Sequence, residues 1–288
     1  MTVTWGPRPV VCVLGPTAGA RHGRPLELGS VRGRRLLAYL ALRAGEHPTR
    51  DEALEVVWPG GPPRTAPKSL ANMVHRLRGQ LGEDAVVWHG SGYRLDPAQV
   101  DLDHRDFESE ARRATVVLAA GQPALAVHHA RHALARWRGR PWCDLEHVDD
   151  AVFDRERLVE LHTGLHEVLA EATLATGSTH EAVAMAQELT ASHPFRERAW
   201  WVLALGLHRD RRRRHSLATL QRARSTLAEV GLDPGPELRD LESRVVADDP
   251  VLCDDAVFGW GPLLLPVSST PLVTLPAPSP VLVAGLRW

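Results

Sequence analysis

Three patterns in the 288-residue sequence predict a multi-domain, mostly α-helical protein. The first hundred residues alternate β-like runs with three helical segments and end in a hairpin, the order of an α+β winged helix-turn-helix. Residues 101–249 read as helices throughout, and Ala182-Val183-Ala184 aligns with Ser216-Leu217-Ala218 at a spacing of 34, the period of an all-α tetratricopeptide-like repeat. The last 38 residues hold six prolines and neither a helical nor a strand period, which predicts a disordered or loosely docked, Pro-rich tail. The expected domains are 1–97, 101–249 and 250–288.

The elements follow in order. Val10 to Leu14 (VVCVL) is a short apolar strand ended by Gly15-Pro16, and Pro25 to Leu28 alternates as a second strand. Ser30 caps a helix that runs to about Ala44 and places Leu36, Leu37, Leu40 and Ala41 on one face, with Gly45 as its stop. Thr49 and Glu52 form a capping box for a second helix, ended by Trp58-Pro59-Gly60. A third helix spans Pro67 to Leu81. Leu70, Val74, Leu77 and Leu81 make its core stripe, and Lys68, Asn72, His75, Arg76 and Gly79 face the other way. Val86 to Leu95 is a hairpin turning at His89-Gly90-Ser91-Gly92, with Tyr93 in its core. In the helical region, small Ala126, Ala182 and Ala218 are expected to let stacked helices approach closely.

Charge adds a functional clue. The net charge of −1 conceals 13 basic and 8 acidic residues in 1–100 against 20 basic and 25 acidic in 101–250. A basic N-terminal third points to nucleic acid. Lys68 is the only lysine; Pro62 and Pro67 replace both glycines a P-loop needs before Lys68-Ser69, so that nucleotide site is excluded. Cys12, Cys143 and Cys253 are scattered and odd in number, which argues against a disulfide framework or a Cys-based zinc site and for a reducing cytoplasm. No apolar run is long enough for a membrane helix, and the N-terminus lacks a signal-peptide pattern.

These segments together resemble the SARP (AfsR/DnrI/RedD-like) family, the antibiotic regulatory proteins of actinobacteria. Over residues 10–97 the motifs that carry the likeness to its OmpR-like winged helix are Gly33 to Leu40 (GRRLLAYL), Thr49 to Leu54 (TRDEAL), Trp58, Pro62 to Ala66 (PPRTA), Arg76-Leu77-Arg78 and Gly92-Tyr93-Arg94-Leu95. Asp101-Leu102 with Phe107, Leu134 to Gly139 (LARWRG), His193 to Trp200 (HPFRERAW) and Gly231 to Leu238 (GLDPGPEL) resemble its bacterial transcriptional activation domain. The resemblance implies a sequence-specific transcriptional activator of a secondary-metabolite gene cluster. It implies binding to promoter direct repeats as paired protomers, recruitment of RNA polymerase, and a cytoplasmic, nucleoid-associated location. About nine residues precede the first strand, so no receiver domain is expected; the ATPase of larger members is not expected either. Pro67, Ala71 and His75 depart from the family's polar pattern in the third helix, so sequence preference does not carry over.

The expected DNA contacts are Lys68, Asn72, His75 and Arg76 on the third helix, since Arg and Asn make bidentate pairs with guanine and adenine. Arg50, at the second helix's start, would hold a phosphate with free backbone N–H groups. Arg34, Arg35, Arg78, Arg94 and His89 complete the set, each weighed against a solvated or structural role. Arg64, before the third helix, is the expected polymerase contact. No cofactor or metal is expected: the His128/His132 and His162/His166 pairs lack an HExxH context. Arg209 to Arg214 (RDRRRR) reads as a solvated or acid-paired turn, and Trp137, Trp142, Trp200 and Trp201 as helix packing. No catalytic constellation is visible. A second reading is a protein-interaction scaffold whose winged helix no longer selects DNA sequence.

Overall fold

The computed structural model describes residues 8–254. It is mostly helical. Strand β1 (Val10–Cys12) pairs antiparallel with β2 (Ala18–Arg21), which pairs with β3 (Arg24–Pro25). Three helices follow: α1 (Val31–Leu42), α2 (Arg50–Val57) and α3 (Ala66–Leu81). Then come hairpin β4 (Val86–His89) and β5 (Gly92–Leu95), and β6 (Asp101–Leu102), which returns to pair parallel with β1. The sheet order is β3-β2-β1-β6.

The local reasons are those expected from sequence. The Ser30 hydroxyl accepts from Gly33 N–H at the start of α1, and both halves of the Thr49/Glu52 box are formed at α2. On α3, Leu70, Val74, Leu77 and Leu81 are all buried. Two features differ. The second strand is Ala18–Arg21, a segment whose alanines and glycine give no β signal, and only Arg24–Pro25 of the next segment is strand. Leu28 instead accepts the close approach of α1 at Gly33, where a Cβ would meet the Leu28 carbonyl oxygen.

Among the described residues seven α-helices follow: α4 (Asp103–Ala119), α5 (Pro123–Leu134), α6 (Asp149–Ala175), α7 (Thr179–Ser192), α8 (Glu197–Arg209), α9 (Arg213–Ala228) and α10 (Pro236–Ala247). Successive helices pack on one another from α4 to α9, and α10 closes the stack against α8 and α9. Helices α7 and α9 begin 34 residues apart, at Thr179 and Arg213. Ala126 and Ala182 are buried at helix contacts as expected, but Ala218 is exposed. The residue equivalent to Ala182 is Ser216. It is fully buried, and its hydroxyl donates to the Ala204 carbonyl at 2.7 Å, which removes the cost of burying it. The segment Pro250–Cys253 is a short 3-10 turn with Leu252 buried; the rest of the expected tail, from 255, lies outside the described residues.

Packing is continuous between the N-terminal and helical parts. One apolar core runs from Val11 through Leu36, Leu70 and Leu95 to Phe107, Trp142, Leu158 and Leu169. A second begins on the same helix, α6, at Ala170 and Leu174 and extends to Leu252. The junction is hydrogen-bonded as well as apolar. Buried Asp103 accepts from the backbone N–H groups of Val13 and Leu14 at 2.8 and 3.1 Å, with the Arg138 guanidinium 3.6 Å away. Arg138 N–H donates to the Leu14 carbonyl at 2.7 Å, and Trp142 N–H to the Val13 carbonyl at 3.0 Å. All four backbone groups of Val13 and Leu14 are thus satisfied by residues of the helical part. Trp142 holds a left-handed backbone (φ 54°), unusual for a bulky residue; Arg155 binds its carbonyl and Asp154 its indole N–H. Asp144 accepts from Thr17 N–H and Arg34, Arg43 pairs with Asp150, and Arg105 donates to the Ala44 carbonyl.

Burial shifts two neighbouring groups of this junction. Desolvation raises the Asp103 carboxyl to about 6, against the pull of its backbone hydrogen bonds, and lowers His104 to about 4. Asp103→Ala leaves two buried N–H groups without acceptors and is expected to cost about 3 kcal/mol in chemical denaturation. The folded His104 binds its proton less well than the unfolded one, so its contribution to stability is present above pH 6.5 and lost as the pH falls toward 4. The stability difference between the wild type and His104→Gln is therefore expected to shrink on acidification from 6.5 to 4 and to stay constant above 7, as read by melting at a series of pH values.

Candidate nucleic-acid interface

Helix α3 is divided cleanly. Its apolar stripe is buried, and Lys68, Asn72, His75 and Arg76 are exposed on the opposite side. None of the four makes a hydrogen bond or ion pair with any described residue, and no acidic residue lies on the helix. Donors held without intramolecular partners on a rigid helix are what base edges and phosphates require. Pro67 sits in the first turn, where its missing N–H costs nothing. Arg64, in the preceding loop, is exposed.

The hairpin is fastened to α2. Gly92 approaches the chain so closely that a Cβ would run into the Pro48 carbonyl oxygen. Arg50 N–H donates to the Ser91 carbonyl at 3.0 Å, and the His47 and His89 rings stack with centroids 4.1 Å apart. This corrects one expectation. The N–H groups of Thr49, Arg50 and Glu52 are all occupied, by Glu52, Ser91 and Thr49 respectively, so a phosphate at Arg50 would meet its exposed guanidinium rather than a set of free amides. Among the described residues Asp51 is its only ion-pair neighbour, at 3.8 Å and well exposed, a weak competitor.

The remaining candidates separate. His89 is exposed at the hairpin tip. Tyr93 is half-buried against the core and meets exposed Trp88 edge-on at 4.9 Å. Arg35 and Arg94 are half-buried, with their Nε atoms enclosed and without a hydrogen-bond partner. Arg34 and Arg78 also make contacts inside the fold. Arg34 is bonded to Asp144 at 3.2 Å across the junction, and Arg78 Nε donates to the Val86 carbonyl at 2.6 Å, joining α3 to β4. In each it is the Nε that the fold engages.

Sequence alone missed the hairpin β2–β3. Its turn, His22-Gly23, has φ of 51° and 74°, and it sets Arg21 directly opposite Arg24 beside the last turn of α3. Elsewhere, two arginines of the Arg209–Arg214 run hold the fold. Arg209 donates to the Leu252 and Asp254 carbonyls, and Arg213 to those of Val245 and Val246, fastening the α8–α9 turn to the C-terminal segment. Trp142, Trp200 and Trp201 are buried among helices, and Trp137 is half-buried against the His162 ring at 4.1 Å. His129 is 2.6 Å and His132 3.6 Å from Glu110. Burial lowers His162 to about 4.

A family model for the bacterial transcriptional activator domain matches residues 102–246, which covers α4 through α9 and most of α10. The regulatory protein AfsR of Streptomyces griseus is 34% identical over 250 residues, spanning 85% of this chain and 25% of that protein. The chain belongs to the SARP family of transcriptional regulators. It spans about a quarter of the length of AfsR, but 81% of the transcriptional regulatory protein MoaR1 of Mycobacterium tuberculosis, to which it is 30% identical over 255 residues. Among solved structures, this SARP-family chain is similar to Mycobacterium tuberculosis EmbR, determined in complex with a low-affinity phosphopeptide. The TM-score is 0.72 at 29% identity, over 84% of this chain and 66% of EmbR. Among the described residues no helix is long and apolar enough to cross a membrane.

Gly92→Ala is expected to push the hairpin off α2 and cost about 2 kcal/mol, because the neighbouring atoms are backbone and do not yield. Urea denaturation monitored through the tryptophans reads this directly.

Proposed function

We propose that the chain is a sequence-specific DNA-binding activator in which residues 8–97 work as a winged helix-turn-helix and the helical part engages the transcription machinery. The observation that carries this reading is the unpaired, acid-free face of α3: Lys68, Asn72, His75 and Arg76, displayed on a helix whose other face is locked into the core. In this reading α3 enters the major groove, with Arg76 and Asn72 reading base edges and Lys68 and His75 reaching bases or phosphates. Arg50 lies over a phosphate, and His89, with the outer nitrogens of Arg94 and Arg35, meets the flanking backbone. Arg64 faces RNA polymerase. Paired protomers occupy promoter direct repeats, and the family likeness supports a secondary-metabolite gene cluster as the target, in the cytoplasm on the nucleoid. The family is one of regulators, and the chain is read as a regulator rather than an enzyme.

Footprinting on the gene's own upstream region and on neighbouring promoters tests the reading. A protected, salt-sensitive direct repeat is the expected result; weak and uniform binding throughout would overturn it in favour of an interaction scaffold. At a protected site, Arg76→Ala is expected to cost about 1–3 kcal/mol and to relax preference at one base pair. Arg50→Ala is expected to weaken cognate and unrelated DNA alike and to lower the salt dependence by about one ion. Both are measured by fluorescence anisotropy at several salt concentrations.

A further inference from the structure

The β2–β3 hairpin holds a charge arrangement that the fold alone leaves unexplained. Arg21 and Arg24 face each other across a two-residue turn, the closest cross-strand position available. Like charges placed directly opposite on adjacent strands destabilise a hairpin, more so one with only two residues in its outer strand. Neither arginine has an ion-pair partner among the described residues. Arg24 is exposed, as is His22 at the turn. Arg21 is half-buried, and its guanidinium donates to the Gln80 carbonyl at 3.2 Å, which aims it at the end of α3. The Gln80 side chain donates in turn to the Glu27 carbonyl at 2.7 Å, so the β2 strand and the segment that follows β3 are both braced on α3.

An open cleft of about 700 Å³ lies between hairpin and helix, lined by Arg21, His22, Arg24, Glu27, Gly79 and Gln80. Gly79 belongs to the same outward face of α3 as Lys68, Asn72 and His75, and it contributes no side chain that would separate that face from the cleft. Of the lining residues only Glu27 is acidic. On the far side of Arg21 and His22 a second cleft carries Glu83 and Asp84, which pair with neither of them. The cations thus continue the basic face of α3 past its last turn.

We propose that Arg21 and Arg24 form a phosphate clamp for the DNA backbone, a contact outside both α3 and the β4–β5 hairpin that lengthens the protected site at one edge. An anion between the two guanidiniums removes their mutual repulsion and engages donors that the protein leaves unused. The clamp rests on the DNA-binding reading above, and its test separates the two. Wild type, Arg24→Gln, Arg24→Lys, the Arg21→Gln/Arg24→Gln pair and Arg76→Ala are compared on the footprinted site, each first checked by melting. Loss of one phosphate contact lowers the slope of log K against log salt by about one, and loss of both by about two. The expected result is this stepwise fall, with full recovery in Arg24→Lys, unchanged base preference, and backbone protection lost at one edge in a hydroxyl-radical footprint. If Arg76→Ala weakens binding while both glutamine variants keep the wild-type slope and footprint, the clamp is wrong and the DNA-binding reading stands. If the wild type fails to bind DNA selectively, both fall. Calorimetry with inorganic phosphate supplies the last arm: saturable binding lost in Arg24→Gln, with the DNA slope unchanged, would overturn the DNA assignment and mark a site for a free phosphate.

Discussion

The Asp103 carboxylate is the interaction on which the rest of the molecule depends. Strand β1 ends at Cys12, and the next two residues leave the sheet with four backbone groups in a fully buried place. No strand continues there to satisfy them. Asp103, at the first turn of α4, takes both N–H groups, and the backbone of Arg138 and Trp142 supplies both donors. A buried carboxylate is costly to desolvate, and its raised proton affinity records that cost. It is sustained because two amides and Arg138 converge on it. The consequence is architectural: the helical part completes the hydrogen bonding of the N-terminal part.

The same economy shapes the amphipathic helix at the surface. Helix α3 is held by four apolar residues on one side, by Arg78 to β4 and by Gln80 and Arg21 to the β2–β3 hairpin. Arg78 Nε, the Gln80 side-chain nitrogen and the Gln80 carbonyl on its flanks serve structure, whereas the side chains on its outer face have no partner among the described residues. A surface whose donors are spare only along one stripe is pre-organised, since binding there breaks no internal bond. The α2–hairpin tie through Arg50 N–H and Ser91 holds the neighbouring elements at fixed separation.

Much of this was legible in the residues. The Ser30 cap, the Thr49/Glu52 box, the α3 stripe and the hairpin at Gly90-Ser91 are local signals, decided within a few residues. Strand β2 was not legible, because Ala18-Gly19-Ala20-Arg21 becomes a strand only through its partner Val10-Val11-Cys12. The commitment of Arg34 to Asp144, 110 residues away, is a tertiary fact that no window reveals. Ala218 was misplaced by two positions because Ser216, polar in sequence, becomes a core residue once the Ala204 carbonyl accepts a hydrogen bond from its hydroxyl. On the candidate site, the exposed face of α3 followed from helical period alone. The roles of Arg34, Arg78 and the Arg21/Arg24 pair depended on which partners the fold brings near.

The shared core from Val11 to Leu169 carries one more implication. Two modules joined by a linker can swivel; two modules sharing one core turn together. On the DNA-binding reading proposed above, with α3 seated in a groove, the orientation of the helical stack around the double helix would be set by the base pair that α3 occupies. Each base pair added between the operator and the promoter then rotates the stack by a fixed fraction of a turn, like a hand geared to a shaft. Activation would be periodic in that spacing, strong when the stack faces polymerase and weak half a turn away.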